Sequence, residues 1–311
     1  MIYTLTVNPA IDYHMDLTGT GFIPGQINRS AGEMLFPGGK GLNVSVVLAR
    51  LGIKSTAWGF VAGRCGRMLE ELAREKGCDC DFIYLPGETR INVKLDCEEE
   101  TAINGNGPVI RDRQVEELLS RIRNLSSDDT LILSGNLQAG GIDLYEAVCR
   151  EASGQNVRLI VDTEGENLKN TFRFHPFLIK PNEEELLGLF AADDGEERSK
   201  EEVIISLMYK CREDGAENVL VTRGGDGALL LTQDGDLYRS QITGSCHVVS
   251  TVGAGDSAVA GFLAGMKRYD GQYEKALQLS CAAGTATAGT MWLGSTAQIE
   301  KWLESVDVQK V

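Results

Sequence analysis

Histidine is scarce in this chain. There are three in 311 residues, at positions 14, 175 and 247, and none has a nucleophile or an acid near it in sequence that suggests a triad, so each reads as incidental. Basic residues are outnumbered, 30 Lys and Arg against 45 Asp and Glu, for a net charge of −15. That balance argues against nucleic acid or an anionic membrane as a partner, but a few local cations can still bind a phosphorylated molecule inside an acidic protein. The eight cysteines, at 65, 78, 80, 97, 149, 211, 246 and 281, contain no C-x-x-C pair and have no histidines at metal spacing, which argues against zinc. Residues 1–7 lack the charged start and apolar stretch of a signal peptide, and no apolar run approaches the length of a membrane span. A cytoplasmic protein with reduced thiols is the expectation. There is no repeat and no low-complexity linker, and the acidic run at 193–198 reads as a solvated turn.

What is present is an alternation. Strand patterns at 2–7, 56–61, 130–133, 157–161, 177–179 and 219–221 are separated by helical patterns at 42–51, 68–76, 114–125, 143–151 and 201–213. This predicts an α/β fold with a mostly parallel sheet covered on both faces, and ligands on such sheets bind beyond the carboxyl ends of the strands. Residues 11–34 and 88–107 break the alternation and read as extended hairpins, either ordinary loops or a small sheet over the active-site edge. The expected division is an α/β domain of residues 1–10, 35–87 and 108–311, which binds nucleotide and substrate, with a β lid of 11–34 and 88–107.

The most telling segment is Ser250-Thr251-Val252-Gly253-Ala254-Gly255-Asp256-Ser257, which runs into the small-residue stretch 258–265. It reads as a glycine loop opening a helix with an acid at its mouth. Unpaired N–H groups and the positive dipole end suit a transferring phosphoryl group there, and Asp256 beside that anion site is suited to take a proton from an incoming alcohol. Gly253-x-Gly255-x-x-Ala258 also fits a loose dinucleotide fingerprint, but that requires a strand soon after the helix. Residues 266–277 read instead as a turn and a second helix.

Other segments admit both a structural and a chemical reading. Phe36-Pro37-Gly38-Gly39-Lys40-Gly41-Leu42-Asn43 is a second glycine loop opening a helix, not a Walker A loop because Lys40 is followed by Gly41. It is either a tight turn or a second anion or sugar site. Asp12, just past the first strand, is an exposed turn residue or an acceptor for sugar hydroxyls. In 89–95 polar and apolar residues alternate, so Arg90, Asn92 and Lys94 share one face; they either pair with acids such as Glu98 to Glu100 or clamp a phosphate. Lys180-Pro181-Asn182-Glu183-Glu184-Glu185 starts a helix with acids that complement its dipole, while Asn182 and Glu185 could also hold Mg²⁺ through water. Residues 222–228 are a turn that borders a nucleotide or joins two strands.

Taken together, these segments resemble the PfkB family of carbohydrate kinases, within the ribokinase-like fold. Gly-Gly-Lys-Gly-x-Asn at 38–43, Asn-x-x-Glu at 182–185 and Thr-x-Gly-Ala-Gly-Asp at 251–256 come in the family's order across nearly the whole chain. The resemblance implies a three-layer sandwich with a small β-sheet lid, transfer of a phosphoryl group from MgATP to a sugar hydroxyl, Asp256 as base, and the amides of Gly253, Ala254 and Gly255 as an anion hole. Asn8 to Asp12, Pro37 to Gly41 and Gly87 to Lys94 look most like the branch that phosphorylates the 6-hydroxyl of fructose 1-phosphate. That likeness implies sugar contacts from Asp12, Gly39 and Asn43, and a 1-phosphate site of Lys40, Arg90, Asn92 and Lys94. It also implies a nucleotide site of Lys180, Asn182, Thr222, Gly224 and Gly227, with magnesium near Asn182 and Glu185. Tagatose-6-phosphate kinases, 6-phosphofructokinases and a catalytically silent sugar-phosphate sensor are the alternatives, and a homodimer through the lid would follow many relatives. The chain departs from the family pattern at Asn136, Glu164 and Ala102.

Overall fold

The computed structural model describes residues 1–19, 21–97, 101–135, 138–139, 142–190 and 198–311. Glu98 to Glu100, Asn136 and the acidic run 193–197 lie outside the described residues. An 11-stranded sheet runs, from one edge, through Val306–Lys310, Leu237–Ile242, Ala228–Leu231, Asn218–Thr222, Leu178–Ile179, Arg158–Asp162, Thr130–Ser134, Ile2–Thr6, Thr56–Ala62 and Asp79–Cys80, with Ile83–Leu85 also paired to Thr56–Ala62. All pairings from Asn218–Thr222 to the Asp79 edge are parallel, and the three at the other end are antiparallel.

Alternation along each strand builds the layers. Leu131, Leu133, Leu159, Val161, Val219 and Val221 face one core with helices Asp112–Arg123, Leu144–Gly154 and Lys200–Glu213. Their neighbours Ile132, Ile160 and Leu220 face the opposite core with helices Lys40–Arg50, Gly63–Glu75, Ala254–Arg268 and Tyr273–Ala288. Strands apolar on both faces require a helical layer on each. The result is the expected three-layer α/β sandwich. Helix Ala254–Arg268 is followed directly by helix Tyr273–Ala288, so no strand closes a dinucleotide unit around Gly253. Gly261 and Gly265 let the two helices meet closely, since a β-carbon at Gly261 would lie 2.5 Å from the Leu279 carbonyl oxygen.

A separate four-stranded sheet contains Gly32–Gly38, Ala10–Asp16, Arg90–Asp96 and Thr101–Asn104, in that order. Its strand Gly32–Gly38 extends past residue 34 because pairing with Ala10–Asp16 continues to Ala10 opposite Gly38. The register places Phe36, Asp12, Asn92 and Asn104 in one row and Met34, His14, Lys94 and Ala102 in the next, all on one face.

Candidate active site

The chain starts in the middle of the large sheet, at Ile2–Thr6, with Thr56–Ala62 on one side and Thr130–Ser134 on the other. Strand order therefore reverses beside the first strand, and the carboxyl ends there open a crevice. A cleft of about 950 Å³ fills it, lined at the strand ends by Thr6, Asn8, Ser134, Asp162, Lys180 and Thr222. Every site residue expected from sequence lines this cleft except Lys94. Lys94 shares the face of Arg90 and Asn92 but lies one row further out, beside His14 and Ala102.

At the centre stands Asp256, 5% exposed, in the first turn of helix Ala254–Arg268. Gly253 caps this helix in the left-handed region at φ 79°, where a β-carbon would also run into Leu293 Cδ2 at 2.7 Å. The missing β-carbon thus lets Leu293 pack directly against the loop. Asn43 Nδ2 donates to Asp256 Oδ2 at 2.8 Å and fixes the carboxylate. Burial, then repulsion from Asp162, raises the Asp256 carboxyl to about 7, against the opposing effects of Asn43, Lys40 and Lys180.

Asp162 is 1% exposed at the end of strand Arg158–Asp162. Lys180 Nζ lies 3.1 Å from its Oδ1, an ion pair without the alignment of a hydrogen bond, and Lys40 Nζ lies 3.9 Å from the same oxygen. Burial works against the charged form of Lys40, but Asp162, Asp256, Glu185 and Glu164 outweigh it and raise the ammonium's pKa. Lys40 therefore faces the carboxylates around Asp256. No short motif marks Asp162 as functional; its signal in the sequence is its place at the carboxyl end of the central strand expected at 157–161. The same reasoning applies to Thr6, whose Oγ1 accepts from the Leu42 N–H at 3.1 Å and supplies a side-chain partner at the start of helix Lys40–Arg50.

The small sheet forms the facing wall. Asp12 Oδ1 accepts from Asn92 Nδ2 at 2.8 Å, and Gly38 has no room for a side chain because a β-carbon would overlap the Asp12 carboxylate. Arg90 Nε donates to the Asn8 carbonyl at 3.1 Å, and burial pulls its guanidinium pKa down while Asp12 opposes the shift.

On the remaining side, Asn182 caps helix Glu183–Leu189. Its Oδ1 accepts from the Glu185 N–H at 2.8 Å, and Glu185 Oε2 accepts from the Asn182 N–H at 2.7 Å. The pair is thus a capping box whose members also line the cleft. Among the described residues no three His, Cys, Asp or Glu side chains converge as a metal cluster. Thr222 bridges to Asn182, and Gly224 to Gly227 form the turn between strands Asn218–Thr222 and Ala228–Leu231, so that turn both joins strands and borders the cleft.

A model of the pfkB family of carbohydrate kinases matches residues 6–299. The chain belongs to this family. It is a kinase, a phosphotransferase with an alcohol group as acceptor, and the family's chemistry implies ATP as donor. A 1-phosphofructokinase of Bacillus subtilis is 38% identical over the full length of both chains. A D-tagatose-1-phosphate kinase of Bacillus licheniformis is 35% identical over 99% of each. Among solved structures, the tetrameric inhibited form of phosphofructokinase-2 from Escherichia coli superposes with a TM-score of 0.84 at 26% identity, covering 97% of this chain and 98% of that one. The separate small sheet and mostly parallel main sheet are the ribokinase-like arrangement. No helix among the described residues is long and apolar enough to cross a membrane.

Proposed function

We propose that the protein transfers the γ-phosphoryl group of ATP to the 6-hydroxyl of fructose 1-phosphate, giving fructose 1,6-bisphosphate and ADP. The observation that carries this reading is Asp256, buried at the mouth of the Gly253 to Gly255 amides and held by Asn43. As O6 attacks the γ-phosphorus, its proton passes to the Asp256 carboxylate, the new O–P bond forms and the bond to the ADP oxygen breaks. Loop amides fixed before reaction stabilise charge as it develops. Lys40, turned towards Asp162, Asp256 and Glu185, is better placed for the transferring phosphoryl group than for the sugar's own phosphate. Asp12, Asn92 and Gly39 face the sugar, with Arg90 and, beyond it, Lys94 for the 1-phosphate.

Lys180, Asn182, Thr222, Gly224 and Gly227 are read as the nucleotide side. Glu185 Oε1, left free by the capping box, and the second lone pair of Asn182 Oδ1 fit Mg²⁺ held through water. Mg²⁺ there would neutralise phosphate charge.

The similarity to a D-tagatose-1-phosphate kinase favours one second reading, the same transfer to D-tagatose 1-phosphate. Coupled ADP release on fructose 1-phosphate, D-tagatose 1-phosphate, fructose 6-phosphate and tagatose 6-phosphate separates the readings. The largest kcat/KM is expected on fructose 1-phosphate. A higher value on another sugar reassigns the substrate, and no ADP release on any supports the silent sensor.

Arg90→Ala should raise KM for fructose 1-phosphate about 10- to 100-fold, since a hydrogen bond to a charged group contributes about 1.5–3 kcal/mol. Lys94→Ala should act more weakly because Lys94 lies off the cleft wall. Steady-state kinetics on both variants checks the order.

The other face of the small sheet exposes Leu35, Ile91 and Ile103 on three strands, at 37%, 42% and 57%. A second copy packing there would bury them, and the tetrameric relative supports self-association. Sedimentation should show a dimer that Leu35→Lys weakens; a monomer at all concentrations overturns this.

A further inference from the structure

The stretch after helix Tyr273–Ala288 takes no part in the transfer derived above, yet it touches both walls of the site. Trp292 lies flat on Phe36, ring centroids 4.7 Å apart and planes 15° apart. Phe36 stands directly opposite Asp12 in the small sheet, on the same face. The guanidinium of Arg50 covers the Trp292 ring at 5.1 Å, and the Lys76 ammonium lies 5.8 Å from it. Arg50 also donates to the carbonyls of Leu293 and Gly294, at 2.7 and 2.9 Å, and Thr296 Oγ1 donates to the Arg50 carbonyl at 2.8 Å. These bonds pin the chain at Leu293 and beyond it, and on the other side Thr290 Oγ1 donates to the Trp292 carbonyl at 3.1 Å.

Leu293 is itself buried, with Cδ2 2.7 Å from where a β-carbon of Gly253 would stand. The next amide, Gly294 N–H, donates to Thr287 Oγ1 at 3.0 Å, and that hydroxyl shares a 2.7 Å hydrogen bond with Ser257 beside Asp256. An aromatic face on the small sheet and a branched side chain on the glycine loop are thus presented by consecutive residues of one pinned segment. Packed groups of this kind transmit a shift rather than absorb it.

We propose that Trp292 is a positioning residue: through Phe36 and Leu293 it ties the placement of the Asp12 sheet to that of the Gly253 to Gly255 amides, so that an acceptor seated on the sheet aligns the loop for the nucleotide. The inference rests on the proposed assignment of those two walls to acceptor and phosphoryl group. It predicts a coupling between ligands, which thermodynamics requires to be reciprocal. A residue that merely fills space would alter stability without altering that coupling.

The test is titration calorimetry of the non-hydrolysable analogue AMP-PNP with Mg²⁺, with and without saturating acceptor, on wild type, Trp292→Leu, Trp292→Phe and Phe36→Leu. The acceptor is fructose 1-phosphate, or D-tagatose 1-phosphate if ADP release favours it, so a wrong substrate is recognised in the turnover assay and not here. In wild type the acceptor should tighten AMP-PNP binding about tenfold. Trp292→Leu and Phe36→Leu should reduce that factor to about two or less, with AMP-PNP affinity in the absence of acceptor changed less than about threefold, while Trp292→Phe retains the stack and most of the factor. Phe36→Leu breaks the stack from the opposite side, so the test survives if Trp292→Leu fails to fold. A wild-type factor near one, or an undiminished factor in the folded leucine variants, overturns the proposal.

Discussion

Asp256→Asn should lower kcat by about 10²- to 10⁴-fold, the range expected when a positioned general base is removed, with little change in acceptor binding. The pH dependence is fixed by the same group. Burial and Asp162 raise its carboxyl from 3.8 to about 7, so the base form fills as pH rises, and kcat/KM should climb about tenfold per pH unit below that value and level off above it. Asp162→Asn removes the repulsion and should move this limb to lower pH. The folded pKa lies above the unfolded one, so ionised Asp256 opposes folding. That penalty is absent below an ordinary carboxylate pKa of about 4, grows as pH rises towards 7 and is full above it. Asp256→Asn should therefore unfold at a higher temperature than wild type at pH 8, with a gain that shrinks as pH falls. Lost turnover together with gained stability is not what a misfolded variant produces. Near-normal rates in Asp256→Asn would remove the base assignment.

Lys180→Met should destabilise the protein by about 3–5 kcal/mol, because breaking a buried ion pair leaves a charge with no compensation. Lys180 and Asp162 are 3% and 1% exposed, and the ammonium also stands 3.1 Å from where a β-carbon of Gly255 would be, directly beside the anion loop. Among the described residues Asp162 would then remain with the more distant Lys40, and Asp256 would lose a cation that favours its ionised form. A lower urea midpoint is the measurement. The double variant Lys180→Met with Asp162→Asn should recover most of the loss, since neutralising both partners removes the buried charge. An unchanged midpoint in the single variant would mean that water reaches Asp162 and screens it. Turnover should fall in both variants.

The sheet and its layers were legible from residue order because strands buried on both faces are continuously apolar and the helices between them carry their own period. Asn182 and Glu185 illustrate how one short motif serves two ends, since the spacing that makes a capping box also sets two oxygen donors on the cleft wall. Arg90 and Lys94 share a face by alternation, but only the register with Ala10–Asp16 shows Lys94 a row beyond the cleft. Lys40 is a similar case. Its place after two glycines suggested a phosphate, and only the fold brings it to Asp162, 122 positions away in sequence.

The sequence by itself determined the family, the glycine loop with its acid, and the alternation that makes a parallel sheet, because each is written in residues close together in the chain. The tertiary structure alone decided the electrostatics of Asp256 and the contact between Phe36 and Trp292. Those depend on burial and on side chains that meet across strands and helices far apart in sequence, and neither quantity has a local signature.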